Sequence, residues 1–232
     1  MKSAKSIGRT VGILLLLQLA AGLTLPFILM KPLTAGAPGF LTAAAENSFQ
    51  IRSAVLLSFV GAALTVALGI TAFPVFRRYS NAAAILFLVV CVVSCVLDAV
   101  HGGTVMSMLS LSQQSVNAGG ANAGLYELVG AAVASARRWA HCMQLVAVGA
   151  WIIVFYSSLF RFALIPRALA ALGLVGIILQ FIGVTLMMLL GYSVIGELAM
   201  PMLPIQIAVA AWLIVKGFNE QLPAAAAETI SE

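Results

Sequence analysis

The chain has 232 residues, of which 62% are hydrophobic and 8% charged, with a formal net charge of +5. Soluble domains average about 45–50% apolar and about 25% charged residues, so this chain cannot cover a water-facing surface. An ordinary soluble enzyme, a disordered chain and a nucleic-acid-binding domain are excluded, whereas the mean hydropathy of +1.12 is that of a membrane protein.

Six apolar segments reach the length of about 20 residues that a helix needs to cross a bilayer. They lie at about 7–30, 54–76, 82–101, 139–160, 165–190 and 197–216. Backbone polar groups cannot go unpaired in lipid, and no ten-residue polar/apolar alternation of a membrane barrel occurs. The expected fold is all-α: a six-transmembrane-helix bundle forming a single transmembrane domain, 1–222, with a short disordered cytoplasmic tail, 223–232.

In chain order, the first segment has a basic start (Lys2, Lys5, Arg9) and is followed by Ala35-Gly36-Ala37. Its apolar stretch is too long for a cleaved signal, whose core runs to about 7–15 residues, so it reads as a retained helix. Gly8 and Gly12 form a GxxxG face, which reads as intramolecular packing more readily than as a dimer seam. The connection 31–53 (PLTAGAPGF, then TAAAENSFQIR) reads as a loop and a lead-in turn. RRYSN after the second segment and RFALIPR after the fourth read as tight turns. The connection 102–138 opens polar and Gly/Asn-rich and continues as LYELVGAAVASARR. That second part reads either as an interfacial helix or as an extension of the fourth span. Ala132, Ala136 and Ala140 make a second small-residue ladder. Trp139, Tyr156 and Trp212 suit interfacial anchoring. Pro26, Pro74, Pro201 and Pro204 kink or end helices, and the last two loosen the start of the sixth.

With the N-terminus inside, Lys2, Lys5, Arg9, Arg77, Arg78, Arg161, Arg167 and Lys216 are cytoplasmic. Only Lys31, Arg52, Arg137 and Arg138 are then outside. This is the positive-inside arrangement, and it places both termini in the cytoplasm. Subtracting the inner charges leaves Glu46, Arg52, Asp98, His101, Glu127, Arg137, Arg138, His141 and Glu197. All fall at or near the outer ends of the predicted helices. Ionisable groups in spans are costly and usually face the bundle interior or a wet cavity.

Cys91, Cys95, Asp98 and His101 share one side of the third span at helical spacing. Arg137 and His141 are four residues apart at the start of the fourth, as are Arg138 and Cys142. Asp98, His101, Arg137, Arg138, His141 and Glu197 are therefore the candidate binding residues of an outward polar pocket. Asp98, Glu127 and Glu197 are the acids available to neutralise the arginines. The plainer reading is an ion pair that fixes helix register, with Glu46, Arg52 and Glu127 as solvated loop charges. No catalytic residue is assigned: GxSxG, the Walker loop, GxGxxG, HExxH and CxxC are all absent. The three cysteines read as buried packing residues rather than a disulfide framework. His101 and His141, on neighbouring helices at similar depth, are the one pair that would serve as axial ligands of a b-type haem.

In the C-terminal half, LIPRALAALGLVG (164–176), GEL (196–198) and AAWLIVKGFN (210–219) follow one another in an order that resembles the bacterial integral-membrane family called domain of unknown function 4386. The resemblance covers nearly the whole chain and implies six helices, with no catalytic residues to carry over. The stretch from Pro201 to Pro204 departs from that pattern.

The expected protein is therefore a multi-pass protein of a bacterial cytoplasmic (inner) membrane, a non-enzyme that binds or moves a small solute. Its partners are membrane lipids, a small-molecule ligand and a second copy of itself, and nucleic acid is not among them. No cofactor is expected beyond the haem b alternative, which would make it a redox protein. A lipid-modifying membrane enzyme is the other alternative.

Overall fold

The computed structural model describes residues 3–34, 38–120, 122–191 and 194–219. Lys2, Ala35-Gly36-Ala37 and the tail 223–232, each used in reading the sequence, lie outside the described residues. The helices in chain order are α1 (Ala4–Thr24), α2 (Phe40–Glu46), α3 (Ser48–Tyr79), α4 (Asn81–Asn117), α5 (Ala123–Arg161), α6 (Arg167–Leu190), α7 (Ile195–Ala199) and α8 (Met202–Val215). Among the described residues there is no strand. Six segments are long and apolar enough to cross a membrane, the last being α7 and α8 together (Gly196–Val215). The all-α, six-span expectation holds.

The middle helices outrun the segments read from hydropathy. At 1.5 Å per residue, α3, α4 and α5, of 32, 37 and 39 residues, extend about 48, 56 and 58 Å. The hydrocarbon core is about 30 Å thick. The connection expected over 102–138 is thus mostly helix: α4 runs on to Asn117 and α5 starts at Ala123. Of the two readings left open for its second half, extension of the fourth span is the observed one. The turn sits where the backbone can reverse, with φ of +57° at Gly119, +87° at Gly120 and +59° at Asn122, a region that glycine and asparagine enter cheaply. The second span likewise starts at Ser48 rather than residue 54, preceded by the short helix α2 in place of a lead-in turn.

The prolines act locally. Around Pro26, which lacks an N–H, the end of α1 widens into a π-turn over Leu25–Leu29. Gln50 reaches back to the carbonyls of Ile28 and Leu29 at 2.9 and 3.2 Å. Pro74 is carried inside α3. Pro201 caps α8, and Pro204 falls in its first turn, where a missing N–H costs least. The break between α7 and α8 is the loosened start expected for the sixth span.

The chain divides into two compact units. The first comprises residues 1–17, 64–93 and 146–232. Its core is aromatic: Phe87 lies 5.2 Å from Phe76 and 5.6 Å from Phe155 between ring centroids. Tyr156 is buried in this core rather than anchored at an interface. It lies so close under Gly173 that a Cβ there would sit 2.1 Å from its ring. Gly8 and Gly12 are equally committed, since a Cβ on either would meet the backbone of Phe218 or Ala210 at 2.4 and 2.8 Å. The GxxxG face is therefore used within the chain. Next to Phe218, Asn219 clasps the α5–α6 turn, its N–H reaching the Leu164 carbonyl at 2.8 Å and its side chain that of Ala163 at 3.1 Å.

The second unit comprises residues 18–63 and 94–145. Phe40, Leu41 and Ala44 of α2 join Ile51, Ala54 and Val55 of α3 and Val105, Met108 and Leu109 of α4 in its core. The Ser112 hydroxyl donates to the Leu41 carbonyl, tying α4 to α2. The Phe40 ring packs beside Gly130 of α5, 3.4 Å from where a Cβ would be. Within this unit α4 and α5 run antiparallel, and together they carry the candidate site.

Candidate functional site

The site is built from two helical faces. On α4 the buried positions His101, Val105, Met108, Leu109 and Ser112 recur at the spacing of one helical face. Asp98, three residues before His101, is half-buried on the same side. On α5 the covered positions 130, 133, 134, 137, 141 and 144 recur likewise. That phase turns Arg137, His141 and Gln144 toward α4 and leaves Arg138 exposed. Neighbouring residues on a helix point about 100° apart, so only one of the paired arginines faces the cluster.

Across the two helices the contacts form a chain. The Gln144 side-chain amide donates to the Asp98 carboxylate. The Gln144 carbonyl oxygen lies 3.0 Å from His141 Nδ1. The His141 ring in turn packs on that of His101, with centroids 4.9 Å apart and planes at 37°. An ionised carboxylate only accepts hydrogen bonds. It therefore turns the NH2 end of Gln144 toward itself, leaves the amide oxygen for His141, and assigns the ring proton of His141 to Nδ1. Arg137 lies near both imidazoles, and its charge acts on each.

Among the described residues, His101 Nε2 and Arg137 Nε of this cluster are sealed from solvent and have no hydrogen-bond partner. His101 as a whole is only 7% exposed. One turn deeper on α4, the buried Ser94 hydroxyl is also unpartnered. Buried polar groups are nearly always paired with protein, water or ligand, which sets these atoms apart from the rest of the cluster.

The expected residues are thus placed as follows. Asp98, His101, Arg137 and His141 come together. Arg138 belongs to the same stretch of α5 but points outward. Glu197 is exposed on α7, in the first unit. Glu46, Arg52 and Glu127 are exposed. The acid facing the cluster, Asp98, is engaged by Gln144. The charged neighbour that acts on Arg137 is Arg138, a like charge. Gln144, which joins Asp98 to His141, is a member of the cluster that carries no charge. Its signal was its place three residues after His141 and seven after Arg137, on one face.

The cysteines are free. Cys91 packs in the core of the first unit against Gly69. Among the described residues no group of three or more His, Cys, Asp or Glu is arranged to hold a metal ion. The imidazoles of His101 and His141 touch each other directly. Axial haem ligands stand on opposite faces of a porphyrin, each bonded to a central iron at roughly 2 Å, so haem would require these rings to part.

Over residues 10–217 the chain matches the family model described as Domain of unknown function (DUF4386). No curated protein matches the chain. No solved structure matches it either.

Proposed function

The chain belongs to the DUF4386 family, and from its geometry we propose that it is a non-enzymatic protein of a bacterial cytoplasmic membrane that binds a small polar solute in an outward-facing pocket. Both termini lie in the cytoplasm in this reading, as the surplus of Lys and Arg at the N-terminus, the two tight turns and Lys216 favours. Depth along the helices supports a place at the outer rim. Asp98 is about 26 Å from the start of α4 at Asn81, and His141 about 30 Å from the end of α5 at Arg161, against a hydrocarbon thickness of about 30 Å.

The observation that carries the reading is the convergence of Asp98, Gln144, His141, His101 and Arg137 on one another. Among the described residues, His101 Nε2 and Arg137 Nε have no hydrogen-bond partner there. A purely structural ion pair would consume its charges internally, whereas Arg137 has the like-charged Arg138 as its neighbour. Ionisable groups held in this way inside a membrane protein ordinarily serve a ligand or a pathway.

The test is ligand-induced stabilisation. Purified protein is melted in the presence of small anions, amino acids, sugars and cations, and anything that binds only the folded state raises the melting temperature. A saturable rise with one class, abolished by His101→Ala, supports the pocket. Identical rises in wild type and His101→Ala, or none with any class, contradict it.

A further inference from the structure

Resting on the pocket reading, we infer that the solute group bound there is an oxyanion, a phosphate held by the guanidinium of Arg137 and by Nε2 of His101. Arg137 is half-buried, and its Nε is covered and unpaired. Among the described residues no ion pair joins Arg137 to Asp98, whose carboxylate takes a hydrogen bond from Gln144. The neighbouring charge is Arg138, which adds positive potential instead of cancelling it. A cation withdrawn from water demands an opposite charge or hydrogen-bond acceptors. A cationic solute would worsen the balance, and a neutral one would leave the charge uncompensated.

The donor geometry fits the same chemistry. A guanidinium presents parallel N–H groups, Nε among them, that match two oxygens of a phosphate. His101 Nε2, sealed and partnerless, supplies a second direction of approach when it carries the ring proton. His141 is held away from this task by Gln144 and, through it, by Asp98. Gln144 is thus a positioning residue: it fixes the imidazole that packs on His101.

Two sources present this chemistry at the rim of a bilayer: inorganic phosphate in solution and the phosphate of an anionic lipid headgroup. Delipidated protein in non-ionic detergent is titrated at constant ionic strength with inorganic phosphate, with phosphatidylglycerol, with glucose and with choline. Melting temperature is followed, and bound phosphate is counted by native mass spectrometry. Saturable binding of phosphate that falls at least about 30-fold in Arg137→Gln, with Arg138→Gln close to wild type, supports the inference with a free anion. The same pattern with phosphatidylglycerol alone supports it with a lipid headgroup. Should Arg137→Gln fail to fold, Arg137→Lys keeps the charge without the fork, and weaker phosphate binding than wild type is the expected result. Equal binding in wild type and Arg137→Lys overturns the inference in that case. Binding of glucose or choline through His101, indifferent to Arg137, overturns the oxyanion and leaves the pocket standing. No saturable response to any of the four probes overturns both.

Discussion

Gln144 of α5 hydrogen-bonds Asp98 of α4 through its amide nitrogen while its carbonyl oxygen meets His141 Nδ1 at 3.0 Å. One uncharged side chain thus joins the two helices and sets the orientation of an imidazole. Removing it should be felt in both respects. Gln144→Leu leaves the Asp98 carboxylate half-buried without its donor, at a cost of about 1–3 kcal/mol. Asp98→Asn combined with Gln144→Leu should cost less than the sum of the two changes. Thermal melting of the four proteins in the double-mutant cycle checks this, and strictly additive losses would show that the two side chains are uncoupled.

Glycines give a contrast that needs no knowledge of function. A Cβ at Gly173 would lie 2.1 Å from the buried Tyr156 ring, so Gly173→Ala should destabilise by about 1–3 kcal/mol through overpacking. At Gly22, inside α1, nothing lies within 4 Å of the added carbon. Gly22→Ala should be neutral or stabilising by about 0.5–1 kcal/mol through helix propensity. A melting temperature of Gly173→Ala equal to or above that of wild type would contradict the packing described for the first unit.

The second unit depends on α2 being pinned to α4. Ser112→Ala removes the hydroxyl that donates to the Leu41 carbonyl, the cross-link that ties α4 to α2 in addition to the bonds of α2 itself. A loss of about 1 kcal/mol is expected, with faster hydrogen exchange confined to α2 and the adjoining part of α4. Exchange that accelerates uniformly along the chain would place Ser112 outside any local lock.

The imidazole contact makes a spectroscopic prediction. With His101 and His141 ring to ring, haem b added to purified protein should show the absorbance of free haem, unchanged in His101→Ala. A shifted Soret band lost in both His101→Ala and His141→Ala would mean that the rings separate to admit a porphyrin, and would revive the redox alternative.

Much of the architecture was legible in the sequence because long apolar runs leave a chain in lipid no choice but helix. The break at Pro201 was legible for the same kind of reason, since a ring nitrogen cannot donate. The extensions of α4 and α5 were hidden by composition. SLSQQS looks like a loop, yet His101, Val105, Met108, Leu109 and Ser112 keep helical spacing through it, and that face is the buried one. In the site, Asp98, His101, Arg137 and His141 stood out as charges or imidazoles where lipid tolerates few. Gln144 did not, because an amide carries no charge to betray it. The phase that separates Arg137 from Arg138 emerges only when the covered positions of α5 are followed from Gly130 onward.

A solute can reach the cluster as proposed only if it opens to the outer side of the membrane. In a background with Cys91, Cys95 and Cys142 replaced by alanine, Arg138→Cys and Arg78→Cys, both at exposed positions, are treated in intact cells with a membrane-impermeant thiol reagent. The outward pocket predicts that Arg138→Cys is labelled at once and Arg78→Cys only after the cells are permeabilised; the reverse pattern would contradict it.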